Sequence, residues 1–154
     1  LELLVPGLQE LARGGETMKI PAELHERLFT GSLYAGMVLN ECSTAFPHPL
    51  GYPLTERFAV PHGQACALFL PALLGRGETF QPGRTRMIYR FAGLTRQGFA
   101  ELLSALKHLP IIHLDSSLLE DCRARWRDVK NFKNSPGGFT AEEALSLFEK
   151  TFAL

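Results

Sequence analysis

No stretch longer than four or five residues alternates strictly between apolar and polar side chains, whereas apolar residues recur at three- and four-residue steps along most of the chain. Alternation is the pattern of a half-buried strand, and three-to-four spacing is that of a helix with one buried face. The sequence therefore predicts an all-α helical bundle of about six to eight helices. At 154 residues and 17.1 kDa the chain fits one domain of roughly 100–200 residues, long enough to bury a single core.

The first helix is predicted over 1–13 and stops at Gly14 and Gly15. Pro21 opens a second, whose stripe is Leu24, Leu28, Leu33, Ala35, Val38 and Leu39, with Glu23, Glu26 and Arg27 on the wet side. Residues 42–63 are dense in proline and glycine and less regular. An apolar helix resumes from Pro61 through Ala65, Leu68, Phe69 and Leu73, and residues 75–86 read as a loop. Further helices are predicted through Phe99–Leu109 and over 116–129. Thr140-Ala-Glu-Glu143 has the form of a capping box and opens the last helix.

Composition excludes several classes of function. Lys+Arg and Asp+Glu are equal at 16 each, which removes the basic excess of a dedicated nucleic-acid binder. The longest nearly apolar run, 65–74, falls far short of the roughly 20 residues of a membrane span. No charged-then-apolar leader opens the chain, so no signal peptide is expected. Cys42, Cys66 and Cys122 form no CxxC pair, so neither a zinc ribbon nor a disulfide framework is indicated. They are expected to be buried or half-buried thiols in a reducing, cytoplasmic compartment. The chain begins with Leu1 rather than methionine, as a piece of a longer protein would.

Five histidines are present. His25, His108 and His113 sit in surface or turn contexts. His48 and His62 are flanked by prolines and bracket the most irregular segment. They lie fourteen residues apart, and fourteen residues of unbroken helix rise about 21 Å, too far to share a metal ion. Sharing one requires the Ala59-Val60-Pro61 break to turn the chain and place them on successive helices. His62 would then occupy a first helical turn after Pro61 at N1, where the helix dipole disfavours the imidazolium and leaves the neutral ring that a metal requires. On spacing alone, two unrelated histidines remain the simpler reading. Tyr52, four residues after His48, projects from the same helical face and could pass a proton to a bound oxygen; alone it reads as a half-buried tyrosine with a satisfied hydroxyl. There is no G-x-G-x-x-G after a strand and no G-x-S-x-G. Arg123, Arg125, Arg127 and Lys130 alternate with Asp121 and Asp128 and read as a solvated helix face.

The segment His48-Pro-Leu-Gly-Tyr52-Pro-Leu-Thr-Glu-Arg-Phe-Ala-Val-Pro61-His62-Gly63 resembles the signature of the iron-containing (group III) alcohol dehydrogenases: a histidine, a polar residue four places on, then Pro-His-Gly with its histidine fourteen after the first. Gly31-Ser-Leu-Tyr-Ala-Gly36 looks like the family's "ASLLAG", Ala65-Cys-Ala-Leu-Phe-Leu-Pro71 like its "ANAILLP", and Asn134-Ser-Pro136 with Thr140-Ala-Glu-Glu143 like its "NPR-x-LT-x-EE" close. The likeness runs over about 1–154. Thr44-Ala-Phe-Pro-His48 and Tyr52-Pro-Leu-Thr55 look most like the branch containing phosphonoacetaldehyde reductases, which has Tyr where many members have a further His.

The resemblance implies a two-domain oxidoreductase acting on a small alcohol or aldehyde, phosphonoacetaldehyde in that branch. An N-terminal domain would bind NAD(P). A helical C-terminal domain, here 1–154, would carry His48 and His62 as ligands of a divalent metal, Fe²⁺ or Zn²⁺, with Tyr52 as the proton-passing catalytic residue. The family's other two ligands form an Asp-x-x-x-His element that this chain lacks and that would lie upstream of Leu1, with the nucleotide-binding glycines further upstream. The chain alone is thus expected to be metal-poor and inactive. No nucleic-acid or membrane partner is implied, and the partners are the substrate, the N-terminal domain and, through the exposed interdomain surface, a second copy of the chain. A non-catalytic packing or oligomerisation domain and a lyase on the dehydroquinate-synthase scaffold are the competing readings.

Overall fold

The computed structural model describes residues 1–15 and 17–152; of the 1–154 range, Glu16, Ala153 and Leu154 lie outside the described residues. The described residues are all-α, with no strand among them. They form ten helices: α1 Leu4–Gly14, α2 Ala22–Cys42, α3 Pro47–Phe58, α4 His62–Ala67, α5 Leu70–Phe80, α6 Pro82–Ala92, α7 Arg96–Ala105, α8 Ser116–Arg125, α9 Lys130–Lys133 and α10 Ala141–Phe152. Packing divides them into two compact units, one of residues 1–43 and 82–107, the other of residues 44–81 and 108–154.

In the first unit α1 packs on α2 through two glycines. A Cβ on Gly7 would meet Leu28 at 2.7 Å, and one on Gly31 would meet Leu4 at 2.8 Å. The predicted α2 stripe is buried only in part: Leu24 is 1% exposed, whereas Leu33, Val38 and Leu39 are exposed. The reason is length. α1 has 11 residues and α2 has 21, spans of about 16 and 31 Å, so α1 covers about half of its neighbour. Arg27, placed on the wet side by its charge, is half-buried and pairs with Glu10 at 2.7 Å.

The second unit is built around Trp126, Phe69 and Phe148. The indole edge meets Phe148 at 5.5 Å, and Phe148 stacks on Phe69 at 6.1 Å. Three sequence expectations fail here or in the neighbouring segment, for local reasons. The helix expected from Pro61 is two helices, α4 and α5. Pro71 has no N–H for the Ala67 carbonyl, so the chain breaks at Leu68–Phe69. The loop expected over 75–86 is helical, forming the end of α5 and the start of α6. Gly75 and Gly77 are tolerated in α5 because Arg76 anchors it. Its Nε donates to the Pro136 carbonyl at 3.1 Å, its Nη1 pairs with Glu143 at 2.7 Å, and its guanidinium lies between the Phe80 and Phe139 rings. Pro82 then sits at the first position of α6, where a missing N–H is harmless. The 42–63 segment, expected to be less regular because of its prolines and glycines, contains the twelve-residue α3.

The capping box at α10 forms as its sequence predicts. Thr140 N donates to Glu143 Oε2 at 2.8 Å, and Glu143 N donates to Thr140 Oγ1 at 3.1 Å.

Candidate metal centre

α3 carries prolines at 47, 49 and 53 and is still helical. Pro47 is its first residue, where no N–H is needed. Pro53 cannot donate to the carbonyl four residues back, Pro49. That buried carbonyl instead accepts from the Trp126 indole Nε1 at 3.2 Å. Pro49 likewise leaves the Ala45 carbonyl, which accepts from His48 N at 3.2 Å. The helix entry is held from α9 and the loop after it. The Ser135 hydroxyl accepts from Phe46 N at 3.1 Å and donates to the Asn131 carbonyl at 3.0 Å. Asn131 and Asn134 donate to Thr44.

α3 ends at Ala59, whose φ of +54° is left-handed. The N–H of Val60 bonds back to the Leu54 carbonyl at 3.3 Å, closing the turn as a helix C-cap. Val60 is buried, Pro61 is the N-cap of α4 rather than its N1 residue, and His62 is the first helical residue. α3 and α4 approach closely at Gly51, where a Cβ would lie 3.1 Å from Cys66 Sγ and 3.2 Å from Cys66 N.

This turn brings the two histidines together. His62 Nε2 lies 3.3 Å from His48 Nδ1, with ring centroids 5.2 Å apart and planes at 63°. The Tyr52 ring stacks on the His62 imidazole at 5.2 Å with an 8° interplanar angle. Tyr52 is 47% exposed and the histidines are intermediate, so the cluster opens at the surface of its unit. At this distance one ring nitrogen can donate and the other accept, the roles depending on which tautomer each ring adopts. Burial, and then the charge of His62, hold His48 below the ordinary imidazole pKa.

A third donor is present that the sequence reading treated as an ordinary thiol. Cys66, one helical turn after His62, places Sγ 3.5 Å from His62 Nε2 and 4.0 Å from His62 Nδ1. One donor atom from each of His48, His62 and Cys66 lies within 4.8 Å of the others. Burial pushes the Cys66 thiol up to about 11. The i, i+4 spacing of His62 and Cys66 is the sequence signal that could have found it. Imidazole suits Zn, Cu, Fe and Ni ions, and thiolate adds preference for the softer ones, so the donor set fits a divalent transition metal.

The other sequence candidates fall outside this group. His25, His108 and His113 are exposed. Cys42 is exposed rather than buried, and Cys122 is buried in the core. In the basic cluster Arg125 pairs with Glu56 at 2.6 Å and with Asp121 at 3.1 Å on an exposed face. No described helix is long and apolar enough to cross a membrane.

The model of the Fe-containing alcohol dehydrogenase family, C-terminal, matches residues 2–125. A 4-hydroxybutyrate dehydrogenase from Clostridium kluyveri is 24% identical over 137 residues, covering 88% of this chain and 36% of the relative. The crystal structure of an iron-containing alcohol dehydrogenase from Thermotoga maritima superposes with a TM-score of 0.74 at 24% identity, over 99% of this chain and 42% of that one. A second iron-containing alcohol dehydrogenase gives a TM-score of 0.72 at 25% identity over the same shares. The chain thus spans well under half the length of these relatives. With the match running over most of its residues, the chain belongs to the iron-containing alcohol dehydrogenase family and corresponds to the family's C-terminal part.

Proposed function

We propose that this chain forms part of the metal centre of an NAD(P)-linked alcohol dehydrogenase or aldehyde reductase. His48 and His62 are ligands and Tyr52 handles the proton. The observation that carries the reading is the 3.3 Å approach of the two imidazoles beneath a stacked tyrosine. When bound, the metal supplies Lewis-acid polarisation of the substrate carbonyl and NAD(P)H supplies hydride.

The chain's own residues do the rest. His48 and His62 present neutral nitrogens to the cation, which the lowered pKa of His48 favours. Stacking fixes the Tyr52 ring over His62, and its phenol O–H delivers a proton to the developing alkoxide oxygen of the substrate in the reduction direction. The nucleotide is held by the N-terminal domain of the whole protein, so this chain alone is expected to show no NAD(P)H-dependent turnover.

The substrate class is a small alcohol or its aldehyde. Two anionic compounds head the assay: 4-hydroxybutyrate, from the Clostridium kluyveri relative, and phosphonoacetaldehyde, from the branch that Tyr52 resembles. The test is metal content and cofactor-dependent activity of the whole protein. His48→Ala and His62→Ala should each lose the metal and the activity together. Unchanged metal content in both variants would overturn the ligand assignment. A metal-free, inactive whole protein would favour a packing domain.

A further inference from the structure

We infer that Cys66 is a third ligand, so that this chain by itself offers a divalent cation a set of two imidazoles and one thiolate. The inference rests on the assignment of His48 and His62 above and extends it.

The geometry carries it. Zinc-type bond lengths of about 2.0 Å to nitrogen and 2.3 Å to sulfur, at tetrahedral angles, put two nitrogens about 3.3 Å apart and a nitrogen and a sulfur about 3.6 Å apart. The structure has 3.3 Å between His62 Nε2 and His48 Nδ1, and 3.5 Å between His62 Nε2 and Cys66 Sγ. Both measured edges match those spacings, and one donor atom from each of the three residues lies within 4.8 Å of the others. Gly51 makes room for this. Its missing side chain leaves the backbone and sulfur of Cys66 close against α3, so the thiol sits beside the histidines.

On binding, the Cys66 S–H bond breaks, the proton leaves to solvent, and the sulfur lone pair passes to the cation. In the isolated chain three donors are one short of a four-coordinate site, and water would fill the fourth position. A thiolate also tilts the site towards Zn²⁺ and Co²⁺ over Mg²⁺ and Mn²⁺. The count of two imidazoles that made the isolated chain look metal-poor omits this sulfur.

The test uses Co²⁺ as the probe on the chain in a Cys42→Ser background, which removes the exposed thiol. Visible d–d bands report the bound ion, and a near-ultraviolet thiolate-to-cobalt charge-transfer band reports sulfur. Both bands are expected. Cys66→Ser should abolish the charge-transfer band, keep the d–d bands and weaken binding by at least about tenfold. If the d–d bands depend on His48 and His62 but no charge-transfer band accompanies them, Cys66 is not a ligand and the histidine assignment stands. If the d–d bands survive both His48→Ala and His62→Ala, the histidine assignment falls and takes this one with it. A chain that binds no cobalt at millimolar concentration also overturns the three-donor set, and the histidines are then judged on the metal content of the whole protein.

Discussion

The Trp126 indole donates its N–H to the Pro49 carbonyl at 3.2 Å, in the place of the backbone N–H that Pro53 lacks. Two residues 77 positions apart thus complete the ladder of the helix that carries His48 and Tyr52. Trp126→Phe should leave this buried carbonyl without a donor and lower unfolding stability by about 1–3 kcal/mol, measured by urea titration. Adding Pro53→Ala restores a backbone N–H at the right register. The double variant should recover part of the loss, and simple additivity of the two changes would show that the indole acts only by filling space.

Ser135 is the partner of Phe46 N at the entry to α3. Ser135→Ala leaves a buried N–H unpaired and should destabilise the chain by about 1–2 kcal/mol. Because His48 lies two residues further on, the same change should weaken metal retention. Stability loss with undiminished metal affinity would separate the entry of α3 from the site.

Gly51→Ala puts a methyl group 3.1 Å from Cys66 Sγ and 3.2 Å from its backbone nitrogen. A backbone atom cannot rotate away, so α3 and α4 must part by a few tenths of an ångström. The expected result is a destabilisation of about 1–3 kcal/mol, read by thermal melting, with weaker cobalt binding. A variant as stable as the parent would show that the two helices are less tightly registered than their contact implies.

Glu143 closes the capping box on α10 and holds Arg76. Burial raises its pKa, but the Thr140 N–H and the Arg76 guanidinium outweigh that and leave it below the ordinary carboxylate value of 4.5. A carboxylate with a depressed folded pKa contributes stability that is present above 4.5 and lost as the pH falls through the folded value. Glu143→Gln keeps the box hydrogen bond and removes the titration. Melting curves of parent and variant should therefore converge below about pH 4.5. Parallel curves across that range would show that Glu143 does not contribute.

The sequence makes some of this legible and hides the rest for physical reasons. The fourteen-residue gap between His48 and His62 forces a turn if the two are to meet, and the left-handed Ala59 supplies it. The Thr140–Glu143 box is written in four consecutive residues and forms as written. Short-range patterns of this kind survive without knowledge of the fold. The full length of α3 does not, because its three prolines argue against it and the partners that hold it, the Trp126 donor and the Ser135 acceptor, come from 77 and 89 residues away. α5 hides in the same way, since Arg76 holds its glycine-rich end through residues 60 or more positions distant. Cys66 is different in kind. Its spacing from His62 is plain in the sequence, and a reading tuned to CxxC pairs passes over it.

With Pro47, Pro49 and Pro53, three of the twelve residues of α3 have no exchangeable amide proton. Deuterium uptake along the backbone is therefore sparse for the helix that carries His48, whose opening would part the imidazoles. The buried, hydrogen-bonded indole proton of Trp126 is its sentinel: when its protection from exchange is lost, the helix carrying His48 has come loose.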